Sequence, residues 1–471
     1  MVWLFHRYYP ARKLLFFLSE SFLIFLASLL AFWFHVGFFS IHLLDFEFVG
    51  KILFVALFFQ VWLYYYDLYS FKREDSLIDI FLRLLQAAGV ATFLLGLIYF
   101  IFPSLMISNW SFMIFLFAVL FFAVSWRLVY FWFLKNGYLN EKVALVGYSS
   151  LAKEIMEEIY RQMDCGFTVS ALFLPLKNNP FFEDFEPALE ALPFKPQIYY
   201  GYNELYRRSQ KMGIKKLVVT LEDRRGNLPI NELLECRMRG LDVVEGETFY
   251  EHLTGKIIVE KIRPSWLIFH GGFCKSSFTL FLKRVIGIIL SSTGLLISAP
   301  VALIIAILIK IDSPGPVLFV QERVGKDGRI FKLYKFRSMR VDAEKDAPKW
   351  ASKDDPRVTR VGKIIRKLRL DEIPQMWNVL KGDMSFVGPR PERPYFVEQL
   401  RKKIPFYDQR HTVHPGITGW AQICYPYGAS EKDALEKLKY DLYYIKYMST
   451  MFDLFIIFKT IQIVLFGKGA R

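Results

Sequence analysis

The chain has 471 residues, of which 54% are hydrophobic and 22% charged, and a formal net charge of +15. That length allows about three domains. So apolar a composition excludes a wholly soluble protein, and so many charges exclude a bare membrane bundle, leaving a membrane protein with sizeable soluble parts. The charge is uneven: residues 1–270 hold 26 Lys+Arg against 26 Asp+Glu, and residues 271–471 hold 34 against 19. A basic last third suits anionic lipid headgroups, nucleic acid or a phosphorylated substrate, and lipid attraction alone accounts for much of it. Cys165, Cys236, Cys274 and Cys424 show no metal-ligand spacing, and neither structural zinc nor a disulfide framework is expected. The N-terminal apolar run is too long for a signal peptide and ends in no small-residue cleavage site.

Four apolar runs, near 14–34, 49–66, 81–102 and 110–133, are each long enough to span a bilayer as a helix. Arg7, Arg12 and Lys13 precede the first, Lys72, Arg73 and Arg83 surround the second link, and Lys135 and Lys142 follow the fourth. The positive-inside rule therefore puts both ends of this domain, 1–139, in the cytoplasm. Arg127 is read as a snorkelling residue near the end of its run, and the bundle as an anchor with no transport pathway, suited to homodimer formation.

From 140 to 265 the pattern changes to alternating strands and helices. Strands are predicted at 142–147, 167–174, 216–220 and 242–245, with helices over 151–162 and 230–238. This is the pattern of a small doubly wound, Rossmann-like domain. Its first turn, Gly147-Tyr-Ser-Ser, keeps one glycine of a dinucleotide fingerprint and lacks the second, and the second strand ends in Leu174-Pro175 rather than in an acid for a ribose. The domain is thus read as degenerate rather than as a working NAD site.

A fifth apolar run covers about 278–309 and has cations at both ends, Lys283 and Arg284 at its start and Lys310, Arg323, Lys326 and Lys332 after its end. Both ends then prefer the cytoplasm, which one straight span cannot satisfy. Pro300 lies mid-run, where it removes a helix hydrogen bond and bends the axis. The prediction is a re-entrant helix-break-helix hairpin, the alternative an ordinary fifth span.

The chemistry gathers beyond it. In Phe331–Met339, Lys335 and Arg337 share one face of an extended segment. By itself this is a solvated cationic strand; beside Asp371-Glu372 it becomes a candidate phosphate clamp. Pro374 is tolerated only in a first helical turn, so Asp371 and Glu372 are predicted to open a helix ending at Gly382. Lys363, Arg366, Lys367 and Arg369 crowd just upstream. The bland reading makes Asp371 a helix cap; the chemical reading makes it a carboxylate nucleophile for a phosphorus centre, with cations neutralising the phosphate oxygens. The two acids would also hold Mg²⁺, or Mn²⁺ in its place, beside a diphosphate. Pro389 and Pro391 fix the backbone around Arg390 and present its guanidinium at little entropic cost. The stretch 453–466 is read as a helix lying on the membrane or, more simply, in a core.

Four runs carry a family resemblance: Lys335–Met339, Leu370–Gln375, Asn378–Pro391 and Pro415–Gln422. From about 280 to 471 the chain resembles the bacterial sugar transferases, monotopic polyprenyl-phosphate hexose-1-phosphate transferases. The four spans and Rossmann-like domain ahead resemble the large members of that family. The resemblance implies a mostly α monotopic catalytic domain over 278–471 in the bacterial inner membrane, on its cytoplasmic face. It implies Asp371 as nucleophile on the β-phosphate of a UDP-hexose and Glu372 in Mg²⁺ coordination or proton handling. Lys335, Arg337, Arg366, Pro389 and Arg390 would form the phosphate site, and undecaprenyl phosphate would be the acceptor in a ping-pong reaction that starts exopolysaccharide or O-antigen repeat units. Nucleic acid is not an expected partner. The family's re-entrant helix often carries Ser-Pro at its break, where this chain has Ala299-Pro300. The endings Tyr425–Ser430 and Leu465–Arg471 resemble an exopolysaccharide subgroup and tilt an open choice between glucose and galactose toward glucose. Two other functions fit less of the sequence: a membrane-anchored sugar-nucleotide oxidoreductase or epimerase, and a non-catalytic scaffold.

Overall fold

A computed structural model describes all residues except 1, 5, 6, 10, 37–45, 72, 74, 107, 108, 139, 176–195, 222–227, 262–270, 342, 344–354, 426, 427, 429 and 467–471. Lys72 and part of the exopolysaccharide-type ending lie outside the described residues. Contacts divide the chain into two compact units, Met1–Leu4 with Tyr8–Phe249, and Phe5–Arg7 with Tyr250–Arg471.

In the first unit, four helices follow the four apolar runs: α1 (Ala11–Val36), α2 (Phe46–Tyr65), α3 (Leu77–Ile101) and α4 (Asn109–Lys135). α3 starts at a capping box, in which Ser76 accepts from the Asp79 amide and Asp79 accepts in return from the Ser76 amide. Ala27, Ala31, Ala87, Ala88, Ala91 and Ala123 are buried between the helices, where small side chains let backbones approach closely. Segments of α1, α3 and α4 are long and apolar enough to cross a membrane, while the apolar part of α2, Val49–Tyr65, is shorter.

Arg127 does not snorkel. Its guanidinium pairs in the bundle interior with Glu20, an acid within the first apolar run that the charge reading passed over. A lone buried charge would be prohibitive, and the pair is tolerable because each neutralises the other. At the end of the bundle, Asp164 accepts from Arg12 Nε at 3.0 Å and from the Tyr130 hydroxyl at 2.9 Å.

The remainder of this unit is α/β: β1 (Glu141–Val146), α5 (Ser150–Arg161), β2 (Phe167–Leu174), β3 (Gln197–Tyr200), α6 (Leu205–Met212), β4 (Lys216–Val219), α7 (Ile230–Met238), β5 (Asp242–Glu245) and α8 (Gly246–Thr254). The five strands are parallel in the order β3-β2-β1-β4-β5. The predicted strands and helices fall within a residue or two of these; β3 had no clear signal because its alternation is short.

The second unit contains α9 (Ser277–Asp312), one 36-residue helix with Pro300 inside it. The expected break is therefore a proline within a continuous helix rather than a gap between two. There follow β6 (Leu318–Val324) and β7 (Ile330–Phe336), α10 (Arg360–Lys367), a 3₁₀ turn at Leu370–Glu372, α11 (Gln375–Lys381) and β8 (Ser385–Val387). The chain continues through α12 (Pro394–Lys403), β9 (Gly416–Thr418), α13 (Trp420–Cys424), α14 (Glu431–Tyr447) and α15 (Thr450–Leu465). β6 and β7 are antiparallel, and β8 and β9 parallel. The core packs Trp420, Tyr443, Tyr444, Phe452 and Ile456. α15 thus has a core face, although Leu454, Ile461 and Leu465 are exposed on its other side.

The unit begins earlier than the sequence boundary near 278. The Gly255 carbonyl accepts from Trp420 Nε1 at 2.8 Å, Lys446 pairs with Glu251 at 2.9 Å, and Ile257 and Val259 lie in the same core as Trp420. The division falls inside α8, at 249/250.

Candidate active site

Asp371 and Glu372 sit in the 3₁₀ turn rather than at the opening of α11, because Pro374 takes the position before its first residue and offers no side-chain cap. The predicted stop at Gly382 holds; that glycine has φ +97°, the left-handed conformation that ends helices. Asp371 caps neither element, which removes the bland reading of it. Arg369, just ahead, adopts φ +54° and turns the chain sharply from α10 into the acid pair.

Lys335, near the end of β7, reaches both acids, with Nζ 3.3 Å from Glu372 Oε1 and 3.8 Å from Asp371 Oδ2. Arg390 Nη2 donates to the same Glu372 oxygen at 2.6 Å. Asp371 and Glu372 are both largely covered, and Asp371 is only 8% exposed. The electrostatics separate them. Burial pushes the Asp371 carboxyl above the usual aspartate range, Lys335 pulls it back, and the adjacent Glu372 charge raises it again. Burial also acts on Glu372, but Arg390, Lys335 and Arg369 together outweigh it and hold that carboxyl well below the glutamate range. Glu372 is thus a fixed anion locked between cations, while Asp371 is the more basic of the two. Two acids pushed apart in this way are the mark of a chemical division of labour.

Arg390 is placed by its backbone. Gly388 N donates to Thr418 O at 2.8 Å, and the Pro389 carbonyl accepts from Gly416 N at 2.9 Å. The Arg390 carbonyl accepts from Arg410 at 2.9 Å, and Arg410 is itself bonded to Asp441 at 2.8 Å and to the Tyr407 hydroxyl at 2.7 Å. A Cβ on Gly388 would collide with His414 O, so only glycine allows this approach of β8 to β9. Pro389 is buried and shapes this turn.

Arg366, in the last turn of α10, acts on Asp371 through its charge. Arg337 is not in this group. Its guanidinium donates to the carbonyls of Ser313 and Pro314, each at 2.7 Å, and so closes the end of α9. β7 ends at Phe336, and the Arg337 side chain goes to the end of α9 instead of to the acids. Pro300 lies in α9, away from these acids in sequence and outside the described contacts of the site.

Among the described residues no group of three or more acids, histidines or cysteines could hold a metal. Mg²⁺ commonly uses one or two carboxylates together with substrate phosphates and water, and Asp371-Glu372 fits that mode. Arg410, Asp441 and Asn378 escaped the sequence reading, since buried polar side chains show no periodicity.

The family match falls on this unit. Residues 278–467 match the bacterial sugar transferase family. A putative undecaprenyl-phosphate N-acetylgalactosaminyl 1-phosphate transferase of Bacillus subtilis is 54% identical over 136 residues, covering 29% of this chain and 76% of that protein. The chain belongs to the bacterial sugar transferase family. Through that membership it is a phosphoglycosyl transferase. A UDP-glucose:undecaprenyl-phosphate glucose-1-phosphate transferase of Escherichia coli is 35% identical over 336 residues, 70% of this chain and 69% of the relative. A UDP-N-acetylgalactosamine-undecaprenyl-phosphate N-acetylgalactosaminephosphotransferase of Aeromonas hydrophila is 46% identical over 239 residues, 51% of this chain and 56% of the relative.

Proposed function

We propose that the protein transfers hexose-1-phosphate from a UDP-hexose to undecaprenyl phosphate in the bacterial inner membrane, initiating repeat units of an exopolysaccharide or O-antigen. The observation that carries this reading is the divided acid pair: a buried, basic Asp371 beside a Glu372 that Arg390 and Lys335 hold ionised. An Asp371 oxygen attacks the β-phosphorus of the donor, the bond to the UMP oxygen breaks, and a phosphosugar-aspartate forms. A phosphate oxygen of undecaprenyl phosphate then attacks the same phosphorus and displaces Asp371. Lys335, Arg366 and Arg390 lower the repulsion between carboxylate and diphosphate. Mg²⁺ would be held by the acid pair and the donor's phosphates, where it would neutralise phosphate charge.

The re-entrant topology is part of this proposal. Lys283 donates to Val387 O at 2.7 Å and Arg284 to Leu380 O at 2.8 Å near one end of α9. At the other end Asp312 accepts from Val361 N at 3.1 Å and Ser313 from Arg337. Between them Gly287 lies against Val379, Gly294 against Met376, and Ile305 and Ile309 against Phe336, Ile365 and Ile373. A straight span would set Lys283 and Ser313 on opposite sides of ~30 Å of hydrocarbon, yet both are fastened to the same folded unit.

The α/β part is read as Rossmann-like but degenerate. Leu221 lies over the Gly147 turn, and Thr220 Oγ1 donates to Gly147 O at 2.6 Å, which supports reading this turn as closed by the chain's own side chains. This takes support away from an oxidoreductase or epimerase.

The relatives named above differ in sugar, and the donor is settled by assay. Membranes bearing the protein are given UDP-glucose, UDP-galactose or UDP-N-acetylgalactosamine with undecaprenyl phosphate and Mg²⁺, and UMP is measured. UMP release that survives Asp371→Asn at the normal rate would sink the nucleophile assignment; release unaffected by chelator would sink the metal.

A further inference from the structure

Lys335 must meet two acids that lie 36 and 37 residues further along the chain, and it stands on a two-stranded hairpin with one unpaired edge. In a strand, the polar backbone groups of residues i and i+2 point to the same edge. Those of Lys332 and Tyr334 point away from β6 and would be orphaned on the free edge of β7. They are not. Asn378, wholly buried on α11, presents its carboxamide to them as a neighbouring strand would: Oδ1 accepts from Tyr334 N at 3.1 Å and Nδ2 donates to Lys332 O at 2.7 Å.

Asn378 is itself pinned. Its own carbonyl accepts from the amides of Gly382 and Asp383, both at 3.1 Å, and of Met384 at 3.3 Å, where the chain reverses at Gly382. Its Nδ2 also lies 3.3 Å from Asp383 Oδ2. The helix carrying this amide follows directly on the turn carrying Asp371 and Glu372, separated by Ile373 and Pro374. One side chain thus fixes β7 to the acid-bearing segment, one residue before Lys335.

We propose that Asn378 is the positioning residue that sets Lys335 against Asp371 and Glu372, acting through the backbone of β7 and touching no substrate. The inference rests on the phosphotransferase reading above. Its signature is coupling to Lys335: slack in β7 lets the lysine leave the acid pair, so losing Asn378 matters chiefly while Lys335 is present.

The experiment uses the full chain in detergent, reading kcat and KM for UMP release by wild type, Asn378→Ala, Lys335→Met and the double variant. Expected is a fall in kcat/KM of about 10–100-fold for Asn378→Ala, the usual range for a supporting residue. In the Lys335→Met background the same substitution should cost less than about threefold, since coupled residues are not additive. A loss that adds in full to that of Lys335→Met overturns the proposal. If Asn378→Ala is not recovered folded, Asn378→Gln decides: it keeps the amide one methylene further out, must still lower kcat/KM more in the wild-type background than in Lys335→Met, and overturns the proposal if folded with wild-type kinetics. Wild type that releases no UMP, or release indifferent to Asp371→Asn, would instead count against the parent reading.

Discussion

Asp371 and Glu372 are adjacent in sequence and opposite in environment, and substitution should separate them. Burial raises Asp371, so its charge costs stability above the ordinary aspartate pKa of about 3.9, and that cost is relieved as the pH falls. Asp371→Asn should therefore abolish transfer, by about 10³-fold or more, while leaving Tm unchanged or slightly raised. Glu372 has the reverse sign: its depressed pKa contributes stability above the ordinary glutamate value, lost as the pH falls through the folded one. Glu372→Gln keeps an acceptor oxygen but takes from Arg390 and Lys335 their shared anion, and should lower Tm by several degrees. Thermal melts of both variants at neutral pH check the contrast, and equal shifts would contradict it. The same logic predicts an activity profile whose acid limb lies above the ordinary aspartate range.

At the scale of elements, the Arg337 guanidinium is bonded to the end of α9 rather than to the acid pair. Arg337→Met should cost about 1–3 kcal/mol, the price of leaving buried carbonyls unpaired, with an unchanged KM for the donor in the folded fraction. A raised KM at wild-type Tm would return Arg337 to the site. Gly388→Ala forces a methyl group onto the β9 backbone, and since Arg390 follows two residues later, kcat should fall even where the protein folds. Periodicity and punctuation made most elements legible: four apolar runs became four helices, Gly382 stopped α11 where expected, and strands β1, β2, β4 and β5 read correctly. The misses have physical causes. Arg337 left the acids because its guanidinium is taken by the carbonyls at the end of α9, Glu20 was hidden in an apolar run because its partner lies 107 residues away, and Pro300 lies within one helix rather than at a gap between two.

For the molecule as a whole, the early start of the second unit has a consequence. A fragment from Gly246 to Arg471 keeps Glu251, Gly255 and Ile257 with their partners Lys446, Trp420 and the α14 backbone. It should fold and transfer, whereas one beginning at Phe278 loses these contacts and should melt lower or aggregate. The topology is tested by labelling Cys274, which is exposed, and a Ser313→Cys variant with an impermeant thiol reagent. Both should react from the cytoplasmic side alone, and reaction from opposite sides would make α9 a full span. Hydropathy, periodicity, charge and motif spacing are local properties, and they were enough to read the apolar helices, the parallel α/β pattern, the basic last third and the family. It took the folded chain to show which cations face Asp371, which acid is pushed up and which is held down, and that Asn378, Arg410 and Asp441 lie behind the site. Those depend on burial and on contacts between residues far apart in the chain, which no local pattern records.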